Sequence, residues 1–246
     1  MGNVKAVVLA AGKGTRLHSE EFDLPKVLRE VNGQPMLHYV LEALSFLSPK
    51  DTILVVGYQG EKVKARFEEC EIVWQVPQKG TGHAVQCARE KLQAFDGTVL
   101  VCCGDMPLLK KETYEALLQK HEAEGADCTF LTGTSNLDLP FGRILRDGSG
   151  GFLRVVEDRD CTPEQKEIKE LNAGVYAFDC KKLLECLELL TDDNAQGEYY
   201  LTDVPEHMRK KGYKLSLCKR ELGAEIVGVN TPEQLQMVET ILKREQ

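Results

Sequence analysis

A run of glycines and cations stands where a strand ends. Leu9-Ala10-Ala11-Gly12-Lys13-Gly14-Thr15-Arg16-Leu17 grows out of the aliphatic, β-branched stretch from Val4 to Leu9. Small Ala10 and Ala11 and flexible Gly12 and Gly14 let a ligand approach the backbone, and N–H groups turned into such a concavity attract anions. Lys13 and Arg16 add positive charge, and a guanidinium can hold two phosphate oxygens at once. The chemistry on offer is phosphate handling. A Walker A loop needs Gly-x-x-x-x-Gly-Lys-Ser/Thr, but Lys13 is followed by Gly14. A dinucleotide fingerprint needs a third glycine where Leu17 stands. Gly-x-Gly alone reads as an ordinary charged turn; Thr15-Arg16-Leu17, with Pro25-Lys26 soon after, tips the reading to function.

Further along, Asp105 follows Gly104 directly after a buried apolar run. It reads either as a Mg²⁺ ligand, because Mg²⁺ takes oxygen donors and is usually held by one or two protein groups plus substrate phosphates, or as a turn or capping carboxylate, which Pro107 supports. Gln75 and Gly80-Thr81-Gly82-His83 could read a base edge, since an amide offers one acceptor and two donors; Thr81 could equally cap the next helix. His83 reads as structural. Glu157, Gly142 and Asn172, with the segment Asn194 to Asp203, suggest a polar, sugar-sized pocket. Asn230 could cap the last helix or offer its carbonyl oxygen to a metal. No His/Cys cluster and no Ser/His/Asp arrangement is evident.

The elements that must position these residues alternate between strand and helix, which predicts an α/β fold with a sheet covered by helices. Strands are expected at Thr52–Val56, Ile72–Val76, Thr98–Cys102, Cys128–Thr134, Ala173–Phe178 and Lys214–Cys218. Arg143–Arg146 and Phe152–Glu157 flank Asp147-Gly148-Ser149-Gly150-Gly151, a hairpin signal. Helices are expected with Pro35 in the first turn of one (Met36, Leu37, Val40, Leu41 and Leu44 on one face), at Glu61–Glu68, Thr81–Lys91 and Glu112–Glu124, around Leu183 to Leu190, and from Thr231-Pro232 to about residue 244. His18 to Asp23 reads as a mobile polar loop. Ligands of open α/β sheets sit outside the carboxyl ends of the strands, and the Leu9 turn, the Gly80 turn and Asp105 all follow strands at that end.

The chain has 246 residues, the length of one large α/β domain or two small ones. With 31 basic against 39 acidic side chains its net charge is −8, which argues against a general nucleic-acid binder. The 9 cysteines are scattered without a Cys-x-x-Cys pair, so free thiols in a reducing cytoplasm are expected rather than a disulfide framework or zinc site. No signal peptide or membrane-spanning run is apparent.

In their order the motifs resemble the nucleotide-sugar pyrophosphorylases, and within them the N-acetylglucosamine-1-phosphate uridylyltransferase branch. Leu9–Leu17, Leu24-Pro25-Lys26-Val27-Leu28, Gln78-Lys79-Gly80-Thr81-Gly82-His83-Ala84 and Gly104-Asp105-Met106-Pro107-Leu108 carry the likeness. It continues through Gly142-Arg143-Ile144, Val156-Glu157-Asp158, Asn172-Ala173-Gly174-Val175, Asn194 to Asp203 and Gly228-Val229-Asn230. The resemblance implies a single Rossmann-like nucleotide-diphospho-sugar transferase domain over residues 1–246, with a mixed, mostly parallel sheet. It implies nucleotide contacts from Leu9, Ala10, Ala11, Gly12, Gly14, Gln75, Gly80, Thr81, Cys103 and Gly104. It implies phosphate handling and catalysis by Arg16 and Lys26, Mg²⁺ on Asp105 and Asn230, and sugar contacts from Gly142, Glu157 and Asn172. UTP and a sugar 1-phosphate would be the substrates.

The family's bifunctional members continue into a β-helix of hexapeptide repeats that has no counterpart here, so the chain reads as a stand-alone enzyme or a piece of a longer one, of unassigned oligomeric state. Cys103, where relatives often carry Tyr, and Leu139-Pro140-Phe141 depart from the pattern and bear on sugar choice. The competing readings are the same chemistry with another sugar 1-phosphate or nucleotide, and a non-catalytic nucleotide-sugar-binding regulator.

Overall fold

The computed structural model of the protein describes residues 2–134 and 139–245. Its strands are β1 (Val4–Ala10), β2 (Glu30–Val31), β3 (Gln34–Pro35), β4 (Thr52–Val56), β5 (Glu71–Trp74), β6 (Thr98–Cys103), β7 (Cys128–Thr134), β8 (Arg143–Arg146), β9 (Phe152–Val156), β10 (Leu171–Asp179) and β11 (Leu215–Glu221). Its helices are α1 (Met36–Ala43), α2 (Gly60–Arg66), α3 (Thr81–Cys87), α4 (Arg89–Leu92), α5 (Lys111–Glu124), α6 (Pro163–Lys166), α7 (Cys180–Leu187), α8 (Val204–Lys210) and α9 (Pro232–Glu245).

The main sheet runs β11-β7-β10-β6-β1-β4-β5, with β8 and β9 attached beside β10. β1 is parallel to both β6 and β4, β4 to β5, and β11 to β7, while β10 runs antiparallel between β6 and β7. The sheet is therefore mixed and mostly parallel, as expected. The period of two along each strand divides the core into two layers. Ala6, Val8, Leu54, Val56, Leu100 and Cys102 face one side and pack against Leu37 and Val40 of α1, Val63 of α2 and Leu117 of α5. Val7, Ile53, Val55, Val99 and Val101 face the other and meet Val85 of α3, Leu183 and Leu187 of α7 and Met208 of α8. These strands read as continuous apolar runs because both faces are covered.

From β1 the chain moves out to β4 and β5, then returns to β6 on the opposite side of β1. Such a reversal opens a crevice between the carboxyl ends of β1 and β6. A third apolar cluster of Leu17, Val31, Met36, Leu108, Val227, Val229 and Val238 draws the glycine turn and α9 together beside it.

Some local expectations change. Residues 18–23 are not an open loop. They wind through a short 3₁₀ turn, Ser19–Phe22, closed at each end by left-handed His18 and Asp23. Asp23 is ion-paired to Lys62 at 2.6 Å, and the Arg29 guanidinium lies 3.8 Å from the Phe22 ring centroid. Pro35 ends β3 and caps α1 rather than opening its first turn. The helix expected over Thr81–Lys91 breaks at Ala88 into α3 and α4. All nine cysteines are free. Among the described residues no helix is long and apolar enough to cross a membrane.

Candidate functional site

Three backbone hydrogen bonds stitch the distant motifs together. Gly104 N–H donates to the Leu9 carbonyl at 2.9 Å, Lys26 N–H to that of Gly12 at 3.3 Å, and Val229 N–H to that of Asp105 at 2.9 Å. The ends of β1 and β6, the turn after Pro25 and the approach to α9 thus share one corner. Gly14 takes φ +74°, and a Cβ there would stand 2.9 Å from Lys26 Cβ. Only glycine lets the turn lie this close to the lysine.

Four polar side chains meet at this corner. Lys26 Nζ is ion-paired with Asp105 Oδ2 and donates to Asn230 Oδ1 at 2.9 Å. Arg16 Nη2 donates to the same Asn230 oxygen at 3.0 Å. Arg16 is exposed and Lys26 half-buried. Lys13, expected to add charge here, is paired with Glu20 at 2.9 Å.

Beside the corner lies a cavity of about 300 Å³ lined by Leu9, Ala11, Gly12, Lys26, Val27, Gln75, Gln78, Gly80, Thr81, Ala84, Cys103, Asp105 and Glu198. Seven of the ten expected nucleotide contacts thus share one wall with the cationic corner. Ala10 does not: its side chain is 1 % exposed and sits in the core, because its place in the alternation of β1 turns it inward. Gly14 and Gly104 shape the backbone behind the lining rather than forming it.

Gln75 is 4 % exposed, and its Nε2 donates to the Gly80 carbonyl at 2.8 Å. Its Oε1 is left as the amide atom for a ligand N–H. Thr81 does not cap its own helix; its Oγ1 accepts from Leu201 N–H at 3.0 Å. Gly82 N–H donates to the Tyr199 carbonyl at 2.7 Å and Tyr199 N–H to that of Lys79 at 2.9 Å. The segment Asn194–Asp203 is therefore zipped to the Gly80 turn and carries Glu198 into the cavity. A carboxylate on the Gly80 side repels phosphate, so an anionic ligand is driven to lay its phosphates toward Arg16 and Lys26. Burial, then the nearby Lys79 charge, lowers the His83 pKa and favours a neutral ring, in keeping with a structural role.

A β-carbon on Gly82 would run into Leu190 Cδ1 and stand 2.9 Å from the Tyr199 carbonyl oxygen. Alanine gains up to about 1 kcal/mol of helix propensity, but overpacking costs about 1–3 kcal/mol. Gly82→Ala is thus expected to lower the melting temperature by roughly 2–4 °C per net kcal/mol lost. A melting temperature at or above wild type would show that this packing does not matter.

The expected sugar residues cluster along the same edge. Asn172 N–H donates to the Gly142 carbonyl at 2.8 Å, and a Cβ on Gly174 would lie 3.7 Å from Cys103 Sγ. Gly142, Glu157 and Asn172 are not among the residues lining the cavity; they extend from it through Cys103. Glu157 Oε1 accepts from Thr202 Oγ1 at 2.9 Å. Burial raises the Glu157 pKa; Thr202 opposes the shift, and Asp203, Asp160 and Asp158 add to it. Asn172 is turned inward, its Nδ2 donating to Tyr176 Oη at 2.6 Å. Val27, Gln78, Ala84 and Glu198 join the lining without having been singled out by residue type. Gln78 and Ala84 flank the Gly80 turn, and Gln78 Nε2 donates to the Ala11 carbonyl.

An open α/β sheet that gathers a glycine turn, two cations, a carboxylate and an amide oxygen at its switch point has the frame on which nucleotide sites are built. The chain belongs to the MobA-like NTP transferase domain family, whose profile matches residues 6–194. The bifunctional protein GlmU of Clostridioides difficile is 41% identical over 243 residues, 98% of this chain and 52% of the relative. That of Heliobacterium modesticaldum is 45% identical over 239 residues, 97% and 52%. The chain spans about half the length of the curated relatives it matches. A Bacillus anthracis protein assigned as a glucose-1-phosphate thymidylyltransferase, solved in complex with a sucrose, shares the fold with TM-score 0.72 over 97% of this chain and 95% of that one, at 18% identity.

Proposed function

We propose that this domain transfers a uridylyl group from UTP to N-acetylglucosamine 1-phosphate, forming UDP-N-acetylglucosamine and pyrophosphate. The observation that carries the reading is the meeting of Arg16, Lys26, Asp105 and Asn230 at the mouth of a cavity walled by Gln75 and the Gly80 turn. Relatives named GlmU that match nearly the whole chain support it.

A sugar-phosphate oxygen attacks the α-phosphorus of UTP. The bond from that phosphorus to the bridging oxygen breaks, and pyrophosphate leaves with the electron pair. The attacking monoester has a second pKa of about 6, so it is already largely dianionic at neutral pH and needs no general base. What remains is alignment and charge neutralisation. Gln75 Oε1 suits the uracil N–H, Arg16 and Lys26 hold the phosphates, and Glu198 keeps the triphosphate from binding reversed.

A divalent cation fits the donor set. Asp105 and Asn230 present oxygens only, the class Mg²⁺ prefers, and two protein donors leave positions for water and phosphate. Among the described residues no group of three or more His, Cys, Asp or Glu could hold a metal by itself, which suits an ion shared with the nucleotide. Bound there, Mg²⁺ would supply charge neutralisation on the phosphates. The free thiols fit a cytoplasmic setting.

Pyrophosphate release with Mg²⁺ tests the reading, using UTP, dTTP and CTP against N-acetylglucosamine, N-acetylgalactosamine and glucose 1-phosphates. Selective turnover of UTP with N-acetylglucosamine 1-phosphate is expected. Turnover of another pair would reassign the pocket, an outcome that the inward Asn172 amide and Cys103 would favour. Nucleotide binding without turnover of any pair would favour a regulator.

A further inference from the structure

We propose that Lys26 is the built-in counter-cation of the Asp105–Asn230 pair and gates divalent-cation entry, so that a metal binds this domain well only when phosphates draw Lys26 away. The inference rests on the metal-dependent reading above and deepens it.

The geometry leaves little for a second cation. Lys26 Nζ is ion-paired with Asp105 and donates to Asn230 Oδ1 at 2.9 Å, while Arg16 Nη2 takes the same oxygen at 3.0 Å. An amide oxygen has two lone pairs, and two donors fill them. The Lys26 and Asp105 side chains are only 12% and 20% exposed, so water screens their attraction less than at an open surface. A divalent ion approaching alone must displace the ammonium, bear its repulsion and shed hydration water, which Mg²⁺ gives up reluctantly.

A triphosphate changes the balance. Phosphate oxygens are strong charge-assisted acceptors for Lys and Arg, and the turn that would cradle them is next to Lys26, whose N–H donates to the Gly12 carbonyl at 3.3 Å. That backbone tie holds the main chain while the flexible side chain can swing from the oxygens of Asp105 and Asn230 to the phosphates. One movement frees the Asp105 carboxylate and a lone pair of the Asn230 oxygen, and neutralises the ligand. Lys26 is thus a positioning residue for the metal as well as a phosphate contact, and metal binding becomes conditional on nucleotide.

Mn²⁺ is the probe, its free concentration read by electron paramagnetic resonance with the folded chain and no nucleotide. Lys26→Met is expected to bind Mn²⁺ at least about tenfold more tightly than wild type, because a positive charge beside the site is gone. Lys26→Gln serves as a second neutral variant should the first not fold, and Lys26→Arg, which keeps the charge, should bind as weakly as wild type. Adding Asp105→Asn to Lys26→Met should abolish the gain. A neutral variant no tighter than wild type overturns the gating role, even if UTP promotes Mn²⁺ binding to wild type and Asp105→Asn removes it. Failure of Mn²⁺ to bind any form with UTP present overturns the metal reading itself, and the gate with it.

Discussion

Arg16→Ala is expected to lower kcat for pyrophosphate release about 10²–10³-fold, the scale of removing one preorganised donor from a developing oxyanion. The reasoning starts from position. Arg16 lies in a short 3₁₀ turn, Thr15–Leu17, flanked by left-handed Gly14 and His18, and Leu17 anchors that turn in the cluster shared with α9. The backbone under an exposed side chain is therefore fixed. Among the described residues the guanidinium makes one side-chain hydrogen bond, from Nη2 to Asn230, and the residue is exposed. In the proposed reaction charge moves onto the leaving pyrophosphate as the bridging bond breaks, so a cation here would act more in the transition state than in the ground state. The loss should fall on kcat more than on KM. Arg16→Lys should recover only part of it, since an ammonium lacks the planar fork. Steady-state kinetics decide, and an unchanged kcat in Arg16→Ala would remove Arg16 from catalysis.

Much of this corner could be read from residue order because its strands are buried on both faces. Thr52–Val56 and Cys128–Thr134 are strands over the bounds expected for them; the glycine turn and Asp105 then had to leave from one end of the sheet. Period and turn chemistry fail where an element is too short to show a period. β2 and β3 are two residues each around Asn32 and Gly33, both at positive φ, a turn signal without strands long enough to notice. No proline or glycine marks the break at Ala88. In the site, residue type suggested what Gln75 and Asp105 could do, but not their partners. That Thr81 serves the backbone of Leu201 and that Glu198 reaches the cavity depend on contacts between segments far apart in sequence, and Asn172 meets Tyr176 across a local irregularity of β10 that residue type does not announce. The alternation of β1 does place Ala10 on the core side, a consequence that the small-residue argument overlooked.

Asp105→Ala should act on both stability and chemistry, and the two can be separated. In the free protein the substitution leaves the Lys26 ammonium, 12% exposed, with Asn230 Oδ1 as its remaining side-chain acceptor. Losing a charged hydrogen bond costs about 1.5–3 kcal/mol, or roughly 2–4 °C of melting temperature per kcal/mol in a domain of this size. In the reaction the same change removes the anionic half of the proposed Mg²⁺ donor pair, and turnover should fall by at least about 10³-fold. Asp105→Asn tells the roles apart. Its amide can still accept from Lys26, so much of the melting temperature should return. It offers the metal no charge, so activity should stay low and be partly regained only at raised Mg²⁺, where the nucleotide's own phosphates carry more of the coordination. Were Asp105 merely a turn residue, as its place before Pro107 also allowed, both variants would track stability alone, and a folded Asp105→Asn enzyme would turn over at the wild-type rate at ordinary Mg²⁺.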